Sequence, residues 1–442
     1  MRRLTVAACA VGVWAVASPA RAHGIGGRLD LPVPVLYFVV GAGLVVALSF
    51  GLLAVLWPRP RLQDAPRYRR VELRAGLMWG LARLLGVVAL VLVVAAGLVQ
   101  LSSGAGSGPT VAPALVWVVF WLVVPFVSVL LGNLYAAVNP WRTLAEWLEI
   151  GGDERPHRVE DLGVWPAAAV FLAFAWMELI WPESGSAATL GVAALIYSLG
   201  LLAAMPVLGR DTALRSFDMF TTYNRMFSAV APWGRQDEHP ARRGWLRALP
   251  VLPEWPGLWA FVVVAIGTVS YDGLSVTSWW PATGLLGETL GMVGVVAGVG
   301  LAYLAACWAA ARSGGGGWST GRVAQRFAHT LVPIGIAYAV AHYLTLIFFE
   351  GQQLISAASD PFGVGWDLFG TADRRIDFFI RSPEPVWYAQ VGLIVTGHVL
   401  GVVLAHDRAL HDFSGRAAVR SQYAMLALMV LLTGLGLLLL AG

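Results

Sequence analysis

Lysine is absent from this chain: all 30 basic residues among its 442 are arginine, which we read as GC-rich coding. Charge of either sign is scarce. Asp, Glu, Lys and Arg make up 13% of residues, against about 25% in an average soluble domain. That is too little to solvate a globular surface, and no connection is long enough to fold alone as a soluble domain. No basic stripe with interleaved aromatics occurs, which excludes nucleic acid as a partner; the net charge of +4 comes from arginines between apolar runs. Cysteine is almost missing. Cys9 falls in the leader and Cys307 in an apolar run, so the mature chain has no intrachain disulfide.

What the chain does have is apolar residues, 58% of the total, with a mean hydropathy of +0.69. Residues 1–22 read as a signal peptide: Arg2 and Arg3, an apolar stretch from Leu4 to Val16, and the small-x-small site Ala20-Arg21-Ala22. Cleavage there exposes His23 at the head of an external glycine-rich arm, 23–33. Residues 34–442 then read as one polytopic domain. Runs long enough to cross about 30 Å of hydrocarbon fall near 34–57, 79–101, 112–135, 164–181, 188–208, 257–271, 288–311, 329–349, 386–406 and 422–441. Alternate connections carry the arginines. Those at 58–78, 136–163, 209–256, 312–328 and 407–421 hold them, whereas 101–111, 182–187 and 272–287 hold none; the exception, the outer loop 350–385 with Arg374, Arg375 and Arg381, is long and weighs less. The positive-inside rule therefore predicts an all-α integral membrane protein of about ten helices with N-terminus and C-terminus outside.

Two arginine-rich connections begin with amphipathic stretches, near 140–150 (opening at Asn139-Pro140-Trp141) and near 214–233 (marked by Phe217, Phe220, Tyr223, Phe227 and Trp233). Both read as anchors in the headgroup plane. Each follows an out-to-in run, which hints at an internal duplication. The outer loop 350–385 carries Asp360-Pro361-Phe362-Gly363 and Gly365-Trp366-Asp367-Leu368-Phe369-Gly370, turns that fit an interfacial belt or a lid.

An ionisable group inside a span costs several kcal/mol unless paired or hydrated, so each is a functional candidate. These are Glu178 and Asp272, near outer helix ends, His329 and His342 on the eighth run, His398 and His406 on the ninth, and Glu350. Four histidines on consecutive helices invite a haem reading. However, at 100° per residue His329 and His342 point about 220° apart, and His398 and His406 about 80°. Counting from Arg326 and Arg408, His342 lies about 24 Å up but His398 about 15 Å. A matched pair of haems is excluded, and one inner His329/His406 pair stays open. His342 and His398 cannot reach the inner interface and are candidate ligands for a divalent metal, zinc or copper. His23, offering amine and imidazole together, is a third. Asp360 and Asp367 complete the set.

Several of these stretches carry a resemblance. His23-Gly-Ile-Gly-Gly-Arg, Tyr271-Asp272-Gly273, Ala328-His329-Thr330-Leu331-Val332-Pro333, Ala341-His342-Tyr343, the Asp360-Pro-Phe-Gly and Gly365-Trp-Asp-Leu-Phe-Gly turns, Gly397-His398 and Ala405-His406 together resemble a family of bacterial inner-membrane proteins labelled fenitrothion hydrolase. The resemblance implies hydrolysis of an apolar organophosphate triester, with an activated water and a metal to stabilise phosphoryl charge. On that reading His342 and His398, joined by His23, hold the metal, and Glu178 or Asp272 completes the shell or acts as base. From the residues alone a transporter of a small solute or metal ion accounts equally well for ten spans with few buried ionisable groups. A third alternative is the membrane subunit of a copper or haem redox complex, with an extracytoplasmic protein partner.

Overall fold

In hydrocarbon a backbone amide finds no water, so a chain this apolar folds as helices that satisfy their own hydrogen bonds. A computed structural model describes residues 33–441 apart from 65, 72–75, 104–109, 153–161, 237–238, 253–254, 282, 316 and 381. The expected signal peptide, His23 and the arm up to residue 32 lie outside the described residues. In chain order the elements are α1 (Val35–Leu56), β1 (Arg69–Arg70), α2 (Gly76–Ser103), α3 (Val111–Pro113), a π-helical segment (Ala114–Val123), α4 (Val124–Leu131), α5 (Tyr135–Val138), α6 (Pro140–Trp147), α7 (Trp165–Leu179), α8 (Ala187–Leu208), α9 (Arg210–Phe217) and α10 (Met219–Val230). They continue with β2 (Trp233–Gln236), β3 (His239–Arg242), α11 (Leu258–Ser275), α12 (Gly284–Ser313), α13 (Thr320–Glu350), α14 (Gln353–Ser359), α15 (Glu384–Asp412), α16 (Gly415–Arg420) and α17 (Tyr423–Ala441). The protein is an all-α polytopic membrane protein.

Among the described residues nine helices are long and apolar enough to cross a bilayer, with Val111–Leu131 and Gly415–Ala441 each counted as one. The tenth run, 164–181, forms α7. Its 15 residues reach only about 22 Å, because Pro166 stands in its first turn and Pro182 follows its end. α11 and α13 are the most enclosed of the long helices. They sit at the centre, where α13 packs on α11, α12 and α15.

Between helices in lipid, close packing of small residues replaces the hydrophobic drive. α2 and α8 meet at Gly97 and Gly191, where a Cβ on Gly97 would lie 2.7 Å from Gly191 Cα. α15 lies as closely on α13: a Cβ on Gly397 would stand 2.8 Å from the Pro333 carbonyl oxygen, and one on Gly401 2.9 Å from that of Thr330. At the arginine-rich end a small antiparallel sheet, in the order β1-β3-β2, ties two connections together, pairing Arg69 and Trp233 with Arg242 on either side of β3. Asp407 of α15 fastens the chain leaving α1, accepting from Trp57 Nε1 (2.9 Å), the Arg61 amide (2.6 Å), the Leu62 amide (3.1 Å) and Gln63 Nε2 (2.7 Å).

Of the two amphipathic stretches expected as headgroup anchors, the first buries Pro140, Trp141, Thr143 and Ala145 and leaves Trp147 and Leu148 exposed, whereas the second packs inside the bundle. An anchor keeps one face on water, but all residues of α10 except Thr221 and Arg225 are buried, and Tyr223 stacks on Trp121 at 4.8 Å. After α4 the chain turns at Gly132, rises through α5 to Asn139 and descends along α6. After α8 it turns at Gly209, rises through α9 to Asp218 and descends along α10. Asp218 bonds Tyr197, which stands eleven residues from the end of α8, about 16 Å above it. These are two helical hairpins that fold back into the bundle from the same, arginine-rich side.

Gly97→Ala is expected to destabilise the protein by about 1–3 kcal/mol, because the added methyl meets backbone that must move. Gly200→Ala, with open space around it, is expected to be neutral or slightly stabilising. Thermal unfolding in one detergent checks the pair.

Candidate functional site

A carboxylate only accepts hydrogen bonds, so a buried one must be surrounded by donors. Asp272, 2% exposed in the last turns of α11, receives His342 Nε2–H at 2.7 Å and Tyr343 Oη–H at 3.2 Å, both from α13. With its Nε2 proton committed to the carboxylate, Nδ1 is the atom of His342 able to accept one. The imidazole is held between Tyr338 and Tyr343, edge to face with each at ring separations of 6.3 and 4.8 Å. Glu178 of α7 lies within electrostatic reach of Asp272, Tyr223 and Tyr343. Three sequence candidates from α7, α11 and α13 therefore gather in the arginine-poor half.

The other candidates are held apart. His398 donates Nδ1–H to the Ile394 carbonyl at 2.9 Å, and its buried Nε2 has no hydrogen-bond partner. It shares a cavity of about 10 Å³ with Tyr338, room for about one water, and Tyr338 lies between it and His342. Among the described residues no three His, Cys, Asp or Glu side chains stand together as a metal-binding group, and His23 lies outside them. His329 donates Nδ1–H to the Arg326 carbonyl at 2.9 Å. His406 has both ring nitrogens engaged, with Gln422 Oε1 at 2.8 Å and the Trp57 carbonyl at 3.1 Å. Glu350 is bonded by Gln353 at the end of α13. Asp360 accepts the Val364 and Gly365 amides at 3.0 and 2.7 Å, and Asp367 the Ala372 amide at 3.0 Å. These two acids pin turns of the outer loop.

A second polar cluster sits where the hairpin tips meet. Asp218 is fully buried. Its Oδ1 accepts from Tyr197 Oη (2.8 Å) and the Phe220 amide (3.1 Å); its Oδ2 accepts from Thr221 Oγ1 (2.7 Å), Tyr135 Oη (3.0 Å) and Asn139 Nδ2 (3.1 Å). Asp218 and Asn139 are also the N-caps of α10 and α6. Sequence reasoning missed this centre because Asp218 falls in an arginine-rich connection, outside every apolar run. The available signal was the capping pattern, an Asx residue opening each amphipathic stretch.

Trp121 and Tyr223 join the two clusters. Trp121 stacks on Tyr223 and also touches Tyr343, 6.4 Å between ring centres. It belongs to the π-helical segment, a conformation concentrated at functional sites. Comparison of the chain with family models, with curated proteins and with solved structures gives no match.

Removing one hydrogen bond to a buried carboxylate is expected to cost about 1.5–3 kcal/mol, so Tyr135→Phe and Tyr197→Phe should each lower the unfolding temperature. Asp218→Leu should lower it further, since five donors lose their acceptor. Asp360→Ala, at an exposed turn, should shift it much less. The order of the four unfolding temperatures is the check.

Proposed function

We propose that this polytopic membrane protein is a transporter that carries a small solute through the helix bundle, with Glu178, Asp272 and His342 as its proton-coupling site. One observation carries the reading: two short helices, each following a span that runs toward the arginine-rich side, bring their N-terminal tips together beside Tyr197, midway along α8. Transporters place solute sites at such breaks, where helix ends and unpaired backbone line a cavity instead of lipid. The apposed tips make an element able to move as a unit against the surrounding spans. The acid–imidazole cluster, one Trp–Tyr stack away, supplies groups that take up and release protons within the membrane. The arginine distribution supports an inner-membrane orientation with both termini outside.

A second reading is favoured by the Asp272–His342 pair itself. A carboxylate that fixes an imidazole and leaves Nδ1 basic is the arrangement a general base needs, which fits the phosphotriester hydrolase implied by the family resemblance. In that reading a divalent metal, zinc or copper, supplies the electrophile.

Reconstitution separates the two. Proteoliposomes with entrapped pyranine, challenged with a panel of uncharged small solutes, are expected to show solute-dependent proton movement. Asp272→Asn and His342→Ala should each reduce it about a hundredfold or more, the lower end of what a proton-transfer group contributes. Release of a nitrophenol from a nitrophenyl phosphotriester, with no solute-dependent proton movement, would overturn the transporter in favour of the hydrolase.

A further inference from the structure

Consecutive helices α7 and α8 pack on different partners, α7 on α11 and α8 on α2. Between them lies a cleft of about 360 Å³, within the range of small-molecule sites. Its mouth runs between Ala173 of α7 and Ile196 of α8, both exposed on the lipid side. Its floor is formed by the π-helical segment and by the first residues of α6 and α10, the two hairpin tips.

Five rings line this space: Phe120, Trp141, Phe174, Tyr197 and Phe220. Phe220 is their hub, 6.2 Å from Phe120, 6.3 Å from Trp141, 5.5 Å from Phe174 and 6.3 Å from Tyr197 between ring centres. The polar atoms of the wall are already committed, Trp141 Nε1 to Ser198 Oγ at 2.8 Å and Tyr197 Oη to Asp218 at 2.8 Å. No donor or acceptor of these side chains remains to compensate a charged ligand for its lost hydration.

We propose that this cleft is an intramembrane binding site for an uncharged, planar aromatic solute that enters sideways from the bilayer. Aromatic walls offering both edges and faces favour a ring over a flexible chain, because offset and edge-to-face pairs add to simple burial. A molecule of this kind partitions into lipid and meets the mouth at its own depth. Bound there, it rests on Phe220, two residues from Asp218, so occupancy bears directly on the hairpin tip. The inference rests on the transporter reading for its purpose, while the binding site itself can be tested without transport.

The test uses the full chain in lipid nanodiscs, with no gradient, and 1-fluoronaphthalene as the probe in fluorine NMR. Saturable line broadening is expected with the unaltered protein. Ala194→Trp, which fills the cleft from α8, should abolish it, and Leu199→Trp, on the lipid-exposed face of the same helix, should not. Phe220→Leu should weaken binding about threefold to tenfold, the range one aromatic pair supplies; this variant decides the matter if Ala194→Trp does not fold. Equal broadening in the unaltered, Ala194→Trp and Phe220→Leu proteins overturns the proposal. So does saturable broadening of a trifluoromethyl-ended phospholipid acyl chain in place of the naphthalene, which assigns the cleft to lipid. Failure of solute-dependent proton movement in proteoliposomes, with naphthalene binding intact, would sink the transporter and leave the site.

Discussion

An interrupted helix inside a membrane leaves backbone donors that no water can reach, and each of them costs several kcal/mol if left unmade. The hairpin tips meet this constraint with two side chains. Asn139 Oδ1 accepts the Arg142 amide of its own helix at 2.9 Å while its Nδ2 donates to Asp218. Asp218 caps α10 through the Phe220 amide and receives Asn139 on its other oxygen. One asparagine thus finishes its own helix and binds the neighbouring tip, so neither hairpin can leave without uncapping or unpairing the other. The negative charge of Asp218 is met by five donors and by the positive end of α10.

The π-helical segment follows from the same crowding. A π turn holds more residues than an α turn, and over Ala114–Val123 it lets two neighbouring aromatics serve different partners. Phe120 reaches Phe220 at the tip, 6.2 Å away. Trp121 turns to Phe171, Phe174, Tyr223 and Tyr343. The local irregularity places a single element against both polar clusters.

The apolar runs were legible because length and hydropathy nearly determine a spanning helix. Their observed ends fall within a few residues of expectation, except on α13 and α15, which extend into the arginine-rich side with Thr320 and Asp412 as their termini. Glu178, Asp272 and His342 were legible for a different reason: an ionisable group in an apolar run announces itself by its desolvation penalty. Asp218 gave no such sign, since the depth of a hairpin is decided by what it packs on, here Trp121 and Phe171, and not by its own composition. Helix arithmetic gave the heights of His342 and His398 but could not foresee Tyr338 between them. Asp360 and Asp367 stood out as loop acids, yet carboxylates in Pro/Gly turns commonly bind their own backbone, and these do.

The two clusters divide the work because their neighbours differ. Around Asp218 the side-chain donors are hydroxyls and an amide, none of which exchanges a proton at ordinary pH; protonating that carboxylate would turn one acceptor position into a donor facing donors. Its charge is therefore part of the scaffold. Asp272 instead accepts a hydrogen bond from an imidazole, a side-chain type used for proton transfer, and it lies within electrostatic reach of a second carboxylate, Glu178. On the transporter reading a change of protonation there would be felt by α7 and α11, and α10 packs on α7. Tyr223 stacked on Trp121 stands between the two clusters, and the cleft between α7 and α8 lies against Met219 and Phe220 at the start of the same helix, α10.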